Sequence, residues 1–252
     1  MPPPPLALRE SIREERFNEV WSRQLNAVFA DVAPYYDRAN QVASLGLWNW
    51  FRDGFLDTID VRPGYRVLDV CAGTNAIGIG LLEREPRLDV HAIDRSEAMQ
   101  RVGRQRARAQ GFHIDSVLGD VHHLPFPDNH FDIVTLQFAS RHLRVKRVFT
   151  EILRVLKPGG RFHHCDMLRP ANPLVETMYY TYLRFCLSFT AVVFNSGPAA
   201  LNCRDYFIDA LQMFYSPQEL STLLRDLGYK YVRVSTVFAG MLAFHTAVKP
   251  AA

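Results

Sequence analysis

The sequence predicts a single α/β unit built on a mostly parallel, doubly wound sheet. Two observations carry this. From Arg66 to Asp166 short apolar runs alternate with stretches of helical spacing, and glycine or proline turns separate them. Near the end of the chain two further strand-like runs flank Ala239-Gly240, as in a hairpin. Strands alternating with helices of this length form right-handed βαβ units.

Phe17, Val20, Trp21, Leu25 and Val28 recur every three or four residues, the spacing of an amphipathic helix that packs on something else. Pro34 and Tyr35-Tyr36-Asp37 mark a break, and a helix over Leu47–Ile59 ends before Arg62-Pro63-Gly64. Residues 1–60 thus read as a helical cover and 61–252 as the sheet domain. Its first strand is Arg66–Cys71, followed by the helix Ala76–Arg84. Leu88–Ile93 and the helix Ser96–Gln110 come next, then a third strand at Ile114–Leu118. A fourth strand, Phe131–Gln137, leads into the helix Val145–Leu156. After Pro158-Gly159-Gly160 a fifth strand runs over Arg161–Asp166. An aromatic helical insertion at about 170–215 forms a lid, Pro217–Leu227 is the last helix, and Tyr231–Val237 and Met241–Val248 are the final strands.

The 252 residues are 48% hydrophobic and 22% charged, which excludes wholesale disorder. The 29 basic and 26 acidic residues leave a net charge of +3, too mild to mark a nucleic-acid partner. Four cysteines without a CxxC pair signal neither a disulfide framework nor a zinc knuckle. The N-terminus has no unbroken apolar core, so no secretory signal is read there, and a reduced, cytoplasmic protein is expected. The most apolar stretch, Leu174–Phe194, is interrupted by Glu176 and Arg184 and suits a membrane surface, a dimer surface or the wall of an apolar pocket.

In open parallel sheets ligands bind beyond the carboxyl ends of the strands. There the sequence places Asp69-Val-Cys71-Ala72-Gly73-Thr74-Asn75, then Asp94, then Gly119-Asp120, then Gln137-Phe138. Gly73 permits close backbone approach, and Asp94 is spaced to accept ribose hydroxyls. Taken alone, either acid also reads as a helix cap or a solvated loop carboxylate. Together they describe a nucleoside pocket without a phosphate cradle, since neither GxxxxGK[ST] nor a full GxGxxG is present.

Val67–Asn75, Asp94, Gly119-Asp120, Leu124–Asp128, Phe131-Asp132 and Leu156–Gly160 together resemble the class I S-adenosylmethionine-dependent methyltransferases. Tyr36-Asp37-x-x-Asn40, Phe138-x-x-Arg141 and Arg204-Asp205-Tyr206 narrow the likeness to the UbiE-type ubiquinone/menaquinone C-methyltransferases, over about residues 29–248. The resemblance implies a Rossmann-like methyltransferase fold: a seven-stranded, mostly parallel sheet with an antiparallel C-terminal strand. It implies S-adenosyl-L-methionine as cofactor, with the methionine part held by the turn Asp69, Cys71, Ala72, Gly73, Thr74 and Asn75. Asp94 would bind the ribose and Asp120 with Val121 the adenine, and Arg95, Gln137 and Phe138 would complete the cofactor site. Tyr36 and Asn40 would close over the cofactor. The chain departs from the family at Ala72 and Asn75, where glycine is usual, and at Asp166, where glutamate is usual. Asparagine tolerates the left-handed backbone region, so Asn75 can keep the turn.

For a quinol-like acceptor a phenolic proton must leave so that the ring carbon becomes nucleophilic. His142 and Asp166, after the fourth and fifth strands, are the candidate bases, Arg141 the electrostatic partner, and Tyr206 with Asp205 the lid contribution. His142 also reads as a backbone-bonded loop histidine. His163 and His164 point to opposite faces of a regular strand, so they make no metal cluster with Cys165, His122, His123 or His130. Arg101, Arg104 and Arg108, with Arg95 and Arg106 nearby, read as a solvated helix face. The expected partner is a small lipophilic aromatic, with peripheral membrane contact at the inner face, or a homodimer, through the lid. A cofactor-binding protein without methyl transfer and an RNA-modifying enzyme are the alternatives.

Overall fold

The computed structural model describes residues 4–20, 25–194 and 206–251. Trp21, Cys203, Arg204 and Asp205 of the sequence reading lie outside them. The chain before the sheet forms α1 (Leu6–Val20), α2 (Asn26–Val32), α3 (Tyr36–Ala43) and α4 (Trp48–Leu56). The described residues of the expected amphipathic run fall in α1 and in or next to α2. Sheet and helices then alternate as β1 (Arg66–Val70), α5 (Ala76–Arg84), β2 (Asp89–Asp94), α6 (Glu97–Ala109), β3 (Asp115–Leu118), β4 (Phe131–Gln137), α7 (Val145–Val155) and β5 (Leu156–Met167). The long helix α8 (Pro173–Val193) follows, then helical residues 206–212 (α9), α10 (Pro217–Asp226), β6 (Lys230–Val237) and β7 (Leu242–Val248).

The seven strands lie in the order β3-β2-β1-β4-β5-β7-β6. β7 alone runs antiparallel to the rest, inserted between β5 and β6 by the terminal hairpin. The order reverses between β1 and β4, which opens a crevice at their carboxyl ends. Side chains alternate across the sheet: Leu68, Val70, Val134 and Leu136 pack with α7 and α10, while Val67, Val90 and Ile133 pack with α4 and α5. β5 starts at Leu156, earlier than expected, because Leu156 pairs with Phe131 before a register break that lets Lys157-Pro-Gly-Gly160 bulge.

The cover is tied down by charge. Arg9 on α1 is 1% exposed; it donates to the Phe214 carbonyl and to Glu219, which itself completes a capping box with Ser216 at the start of α10. α8 starts on Asn172, whose side chain accepts from the Leu174 amide at 2.9 Å. Tyr179, Tyr180, Leu183 and Cys186 form its buried face, whereas Leu174, Met178, Phe185, Phe189 and Val192 are exposed.

Candidate active site

After β1 the backbone turns through three left-handed residues, Cys71 (φ 56°), Gly73 (φ 52°) and Asn75 (φ 57°). Asn75 thus takes the conformation that a glycine would adopt without strain, and its amide donates to the Ala72 carbonyl at 2.8 Å. α6 crosses tightly behind the turn: a Cβ on Gly103 would lie 2.9 Å from Asn75 Cγ and 3.0 Å from the Thr74 carbonyl carbon. At the end of β2, Asp94 accepts from the Gly73 and Ser96 amides, both at 2.8 Å. Burial pushes its carboxyl above the usual carboxylate range, against those two hydrogen bonds.

These turns wall a cavity of about 460 Å³ at the carboxyl ends of β1, β2, β3 and β4. Tyr36, Asp69, Cys71, Ala72, Gly73, Thr74, Asp94, Arg95, Asp120, Val121, Gln137 and Phe138 all line it, as the sequence reading placed them. Two expected residues do not. Asn75 is fully buried under the turn, and Asn40 faces the neighbouring cavities. Sequence reasoning missed Phe29, Asp37, Trp48, Met99 and His122 on the same wall. His122 carried a signal, its place directly after Asp120-Val121; it accepts the Arg144 amide on Nε2 at 3.1 Å, so Nδ1–H donates to Asp120. Asp37 accepts from the Thr74 hydroxyl at 3.1 Å and pairs with Arg106, joining cover, turn and α6. Arg106 is therefore a tether, not part of a solvated face.

Asp69 tests whether the cavity suits a cationic nucleoside. Its Oδ1 accepts from the Thr135 hydroxyl at 2.7 Å, while Oδ2 makes no aligned hydrogen bond. Burial, opposed by Thr135 and more weakly by the Gly78 amide, pushes its pKa up to about 7. A buried acceptor of this kind on a cavity wall fits a ligand that carries positive charge. The acidic ends of β1 and β2 and the apolar Val121–Met99 side suit S-adenosylmethionine.

Two further cavities adjoin. One of about 390 Å³ is lined by Leu47, Trp48, Phe51, Phe138, Tyr179, Tyr182 and Phe207. The other, about 200 Å³, is faced by Tyr36, Trp48, Phe138, Arg141, His142 and Phe207. Trp48 and Phe138, stacked with centroids 4.8 Å apart, belong to all three walls. His142 Nδ1 lies 2.8 Å from the Tyr206 hydroxyl, and burial, with Arg141 and Arg13 nearby, holds its pKa well below the ordinary value. Asp166 does not reach a cavity wall as expected: it is fully buried and takes Arg141 Nη1 on Oδ1 at 2.6 Å and the Ser140 amide on Oδ2 at 2.8 Å. The end of β5 passes beneath the turn after β4, which comes between Asp166 and the cavities. His163 and His164 face opposite ways, toward Thr58 and Ser140 respectively. Among the described residues the group able to hold a metal is Asp89, His91 and Asp115, on the opening halves of β2 and β3, away from the cavity.

The profile of the ubiE/COQ5 methyltransferase family matches residues 17–249. The ubiquinone/menaquinone biosynthesis C-methyltransferase UbiE of Cereibacter sphaeroides is 33% identical over 231 residues, 89% of this chain and 90% of its own length. The demethylmenaquinone methyltransferase of Renibacterium salmoninarum is 34% identical over 227 residues, 90% of this chain and 92% of its own. In fold, the chain resembles a SAM-dependent methyltransferase from Aquifex aeolicus (TM-score 0.56, 20% identity, 79% of this chain and 89% of that one). It also resembles phosphoethanolamine N-methyltransferase 2 of Haemonchus contortus, solved with S-adenosylhomocysteine (TM-score 0.65, 17% identity, 88% of this chain and 59% of that one). With the strand order, the left-handed turn and the acid-lined cavity in place, these likenesses identify the chain as a member of the ubiE/COQ5 methyltransferase family and an S-adenosylmethionine-dependent methyltransferase.

Proposed function

We propose that the enzyme methylates a ring carbon of a quinol bearing a long apolar substituent. The observation that carries this is the junction at Trp48 and Phe138, where the cofactor cavity meets a small chamber with Arg141 and His142 and a larger apolar one. The ring occupies the small chamber and the apolar substituent the large one.

The cofactor, when bound, supplies an electrophilic methyl on a sulfonium. The protein's task is alignment, which is worth roughly 7–11 kcal/mol when reacting groups are held in attack geometry. Asp94 holds the ribose, Asp120 and Val121 the adenine, and the turn Asp69–Asn75 the methionine part, with Arg95 and Gln137 beside it. Tyr36 and Asn40 close the cover. His142, its Nδ1–H directed at Tyr206, takes the hydroxyl proton of the quinol on Nε2. Arg141 balances the phenolate, the adjacent ring carbon takes the methyl, and loss of that carbon's proton restores the aromatic ring. Asp166 acts through Arg141 and not on the substrate.

Residues 1–60 serve as the cover, 61–252 as the catalytic unit, and the insertion at 170–215 as the lid. The exposed face of α8 is the contact with the inner surface of a bilayer that holds the acceptor. Supporting this, Met178 and Tyr182 both reach the surface and line the large cavity. No helix among the described residues is long and apolar enough to cross a membrane. Sedimentation with vesicles tests the contact: loss of binding in Phe185→Ser/Phe189→Ser is expected, and a dimer that buries this face without binding vesicles refutes it.

The test of function is incubation with S-adenosylmethionine and a reduced demethylquinol. The expected product is one methyl heavier, with the new group on carbon by NMR. An O-methyl product, or no product from any prenylated quinol, refutes the reading.

A further inference from the structure

Behind Arg141 lies a chain of hydrogen bonds that the reaction as described does not use. Asp166 accepts four donors. Oδ1 takes Arg141 Nη1 at 2.6 Å and the Met167 amide at 2.8 Å, and Oδ2 takes the Ser140 amide at 2.8 Å and the Ser140 hydroxyl. The same hydroxyl oxygen is 2.8 Å from His164 Nε2. Because the Ser140 proton goes to the carboxylate, His164 must donate Nε2–H to Oγ, which leaves Nδ1 bare. His164 Nδ1 is indeed buried without a partner. Ser140, His164 and Asp166 are all fully buried, and the ring of His164 lies among Phe149, Phe162 and His245. An imidazole in such surroundings is an expensive choice unless its donor is required. What the chain ends on is the Arg141 guanidinium, which rests over the Phe207 ring at 4.5 Å and faces the small chamber.

We propose that His164 is a positioning residue for methyl transfer. Through Ser140 and Asp166 it fixes the rotamer of Arg141 and so the place of the positive charge that meets the acceptor oxygen. The inference rests on the reading of Arg141 as the acceptor-side cation. The hydroxyl of Ser140 has two acceptors within reach, the carboxylate and a bare imidazole nitrogen. Donation from His164 removes the second and commits the hydroxyl to Asp166. Without that donor the Ser140 oxygen is held from one side only and its hydroxyl donates less strongly to the carboxylate, so Arg141 loses its fixed anchor. Burial and His245 both hold His164 neutral, consistent with a fixed donor that does not titrate during turnover.

The test compares His164→Leu with His164→Gln, whose amide restores a donor toward Ser140. His164→Leu is expected to lower kcat for the quinol by about 10–100-fold, the effect of a small misplacement of a reacting group. Its Kd for S-adenosylhomocysteine stays within about twofold, and its thermal melting stays at or above that of the parent because an unsatisfied buried nitrogen is removed. His164→Gln recovers most of the loss. A folded His164→Leu with parental kcat, a Gln variant as impaired as Leu, or a matching loss of cofactor affinity overturns the proposal. Should His164→Leu fail to fold, Ser140→Ala removes the same link while keeping the amide on Asp166, and parental kcat there is equally fatal. A crystal structure of the variant reads the outcome without any acceptor: Arg141 is expected to leave Asp166 Oδ1, and an unmoved guanidinium overturns the proposal. An inactive parent enzyme with a displaced Arg141 in the variant would refute the quinol reading and leave this one standing.

Discussion

The cavity proposed for the cofactor and the two chambers proposed for the acceptor share the Trp48–Phe138 pair yet are built on different principles. The first is walled largely by the turns that leave β1, β2, β3 and β4, so strand register sets its geometry and places the short acids Asp69, Asp94 and Asp120 on its wall. The chambers are walled by aromatic and aliphatic side chains of α3, α4, α8 and α9, where helix packing and rotamers decide the shape. Register is fixed by the whole sheet; helix faces can be repacked one residue at a time. The cavity proposed for the cofactor and the chambers proposed for the acceptor therefore stand on separate scaffolds.

That division is open to attack by mutation. The largest effect is expected at His142, the proposed base: His142→Asn should lower kcat by about 10²–10⁴-fold, the span of lost general-base catalysis, without changing affinity for S-adenosylhomocysteine. Next is the cofactor side. Asp94→Ala should raise Kd for S-adenosylhomocysteine by about 10–100-fold by calorimetry, the worth of hydrogen bonds to a charged group. Because Trp48 belongs to both sides, Trp48→Ala should blur the division, raising acceptor KM by about tenfold and cofactor Kd by less. The smallest effect is a pH dependence of stability. Asp69 has a folded pKa raised to about 7 from an ordinary 3.8, so its stabilising protonation is complete below the lower value and lost as pH rises through the upper. The melting temperature of Asp69→Asn should accordingly gain on that of the parent between about pH 5 and pH 8, and a constant difference would show that Asp69 ionises freely in the fold.

The sheet side was legible in the sequence residue by residue, whereas on the helical side the helices around Leu47–Ile59 and Leu174–Phe194 were legible but most of the side chains that line the chambers were not. β1 through β4 fall within a residue or so of the runs expected for them, and the central β1 and β4, buried on both faces, leave the least broken apolar signature. Twelve of the fourteen expected cofactor residues line the cavity, since position after a strand end is enough to place them. Trp48 gave no signal, for an aromatic on a short helix reads the same whether it meets core or ligand. Arg106 read with a solvated helix face until the fold paired it with Asp37, 69 residues away. Asp166 was expected at a pocket because strand ends in this fold face one, but the turn at Ser140–His142 lies over the end of β5 and converts it to a buried anchor.

Arg9 has a consequence for how the molecule comes into being. Its acceptors, the Phe214 carbonyl and Glu219, are more than two hundred residues further along. During synthesis the contacts of α1 with Arg141, Leu143, Arg144 and Lys146 become possible well before Phe214 and Glu219 exist, so Arg9 waits longest for its partners. A buried guanidinium is held off-fold through that interval, and its docking closes a loop spanning most of the polypeptide. Burial of Arg9 thus reports that the region around Phe214 and Glu219 has folded.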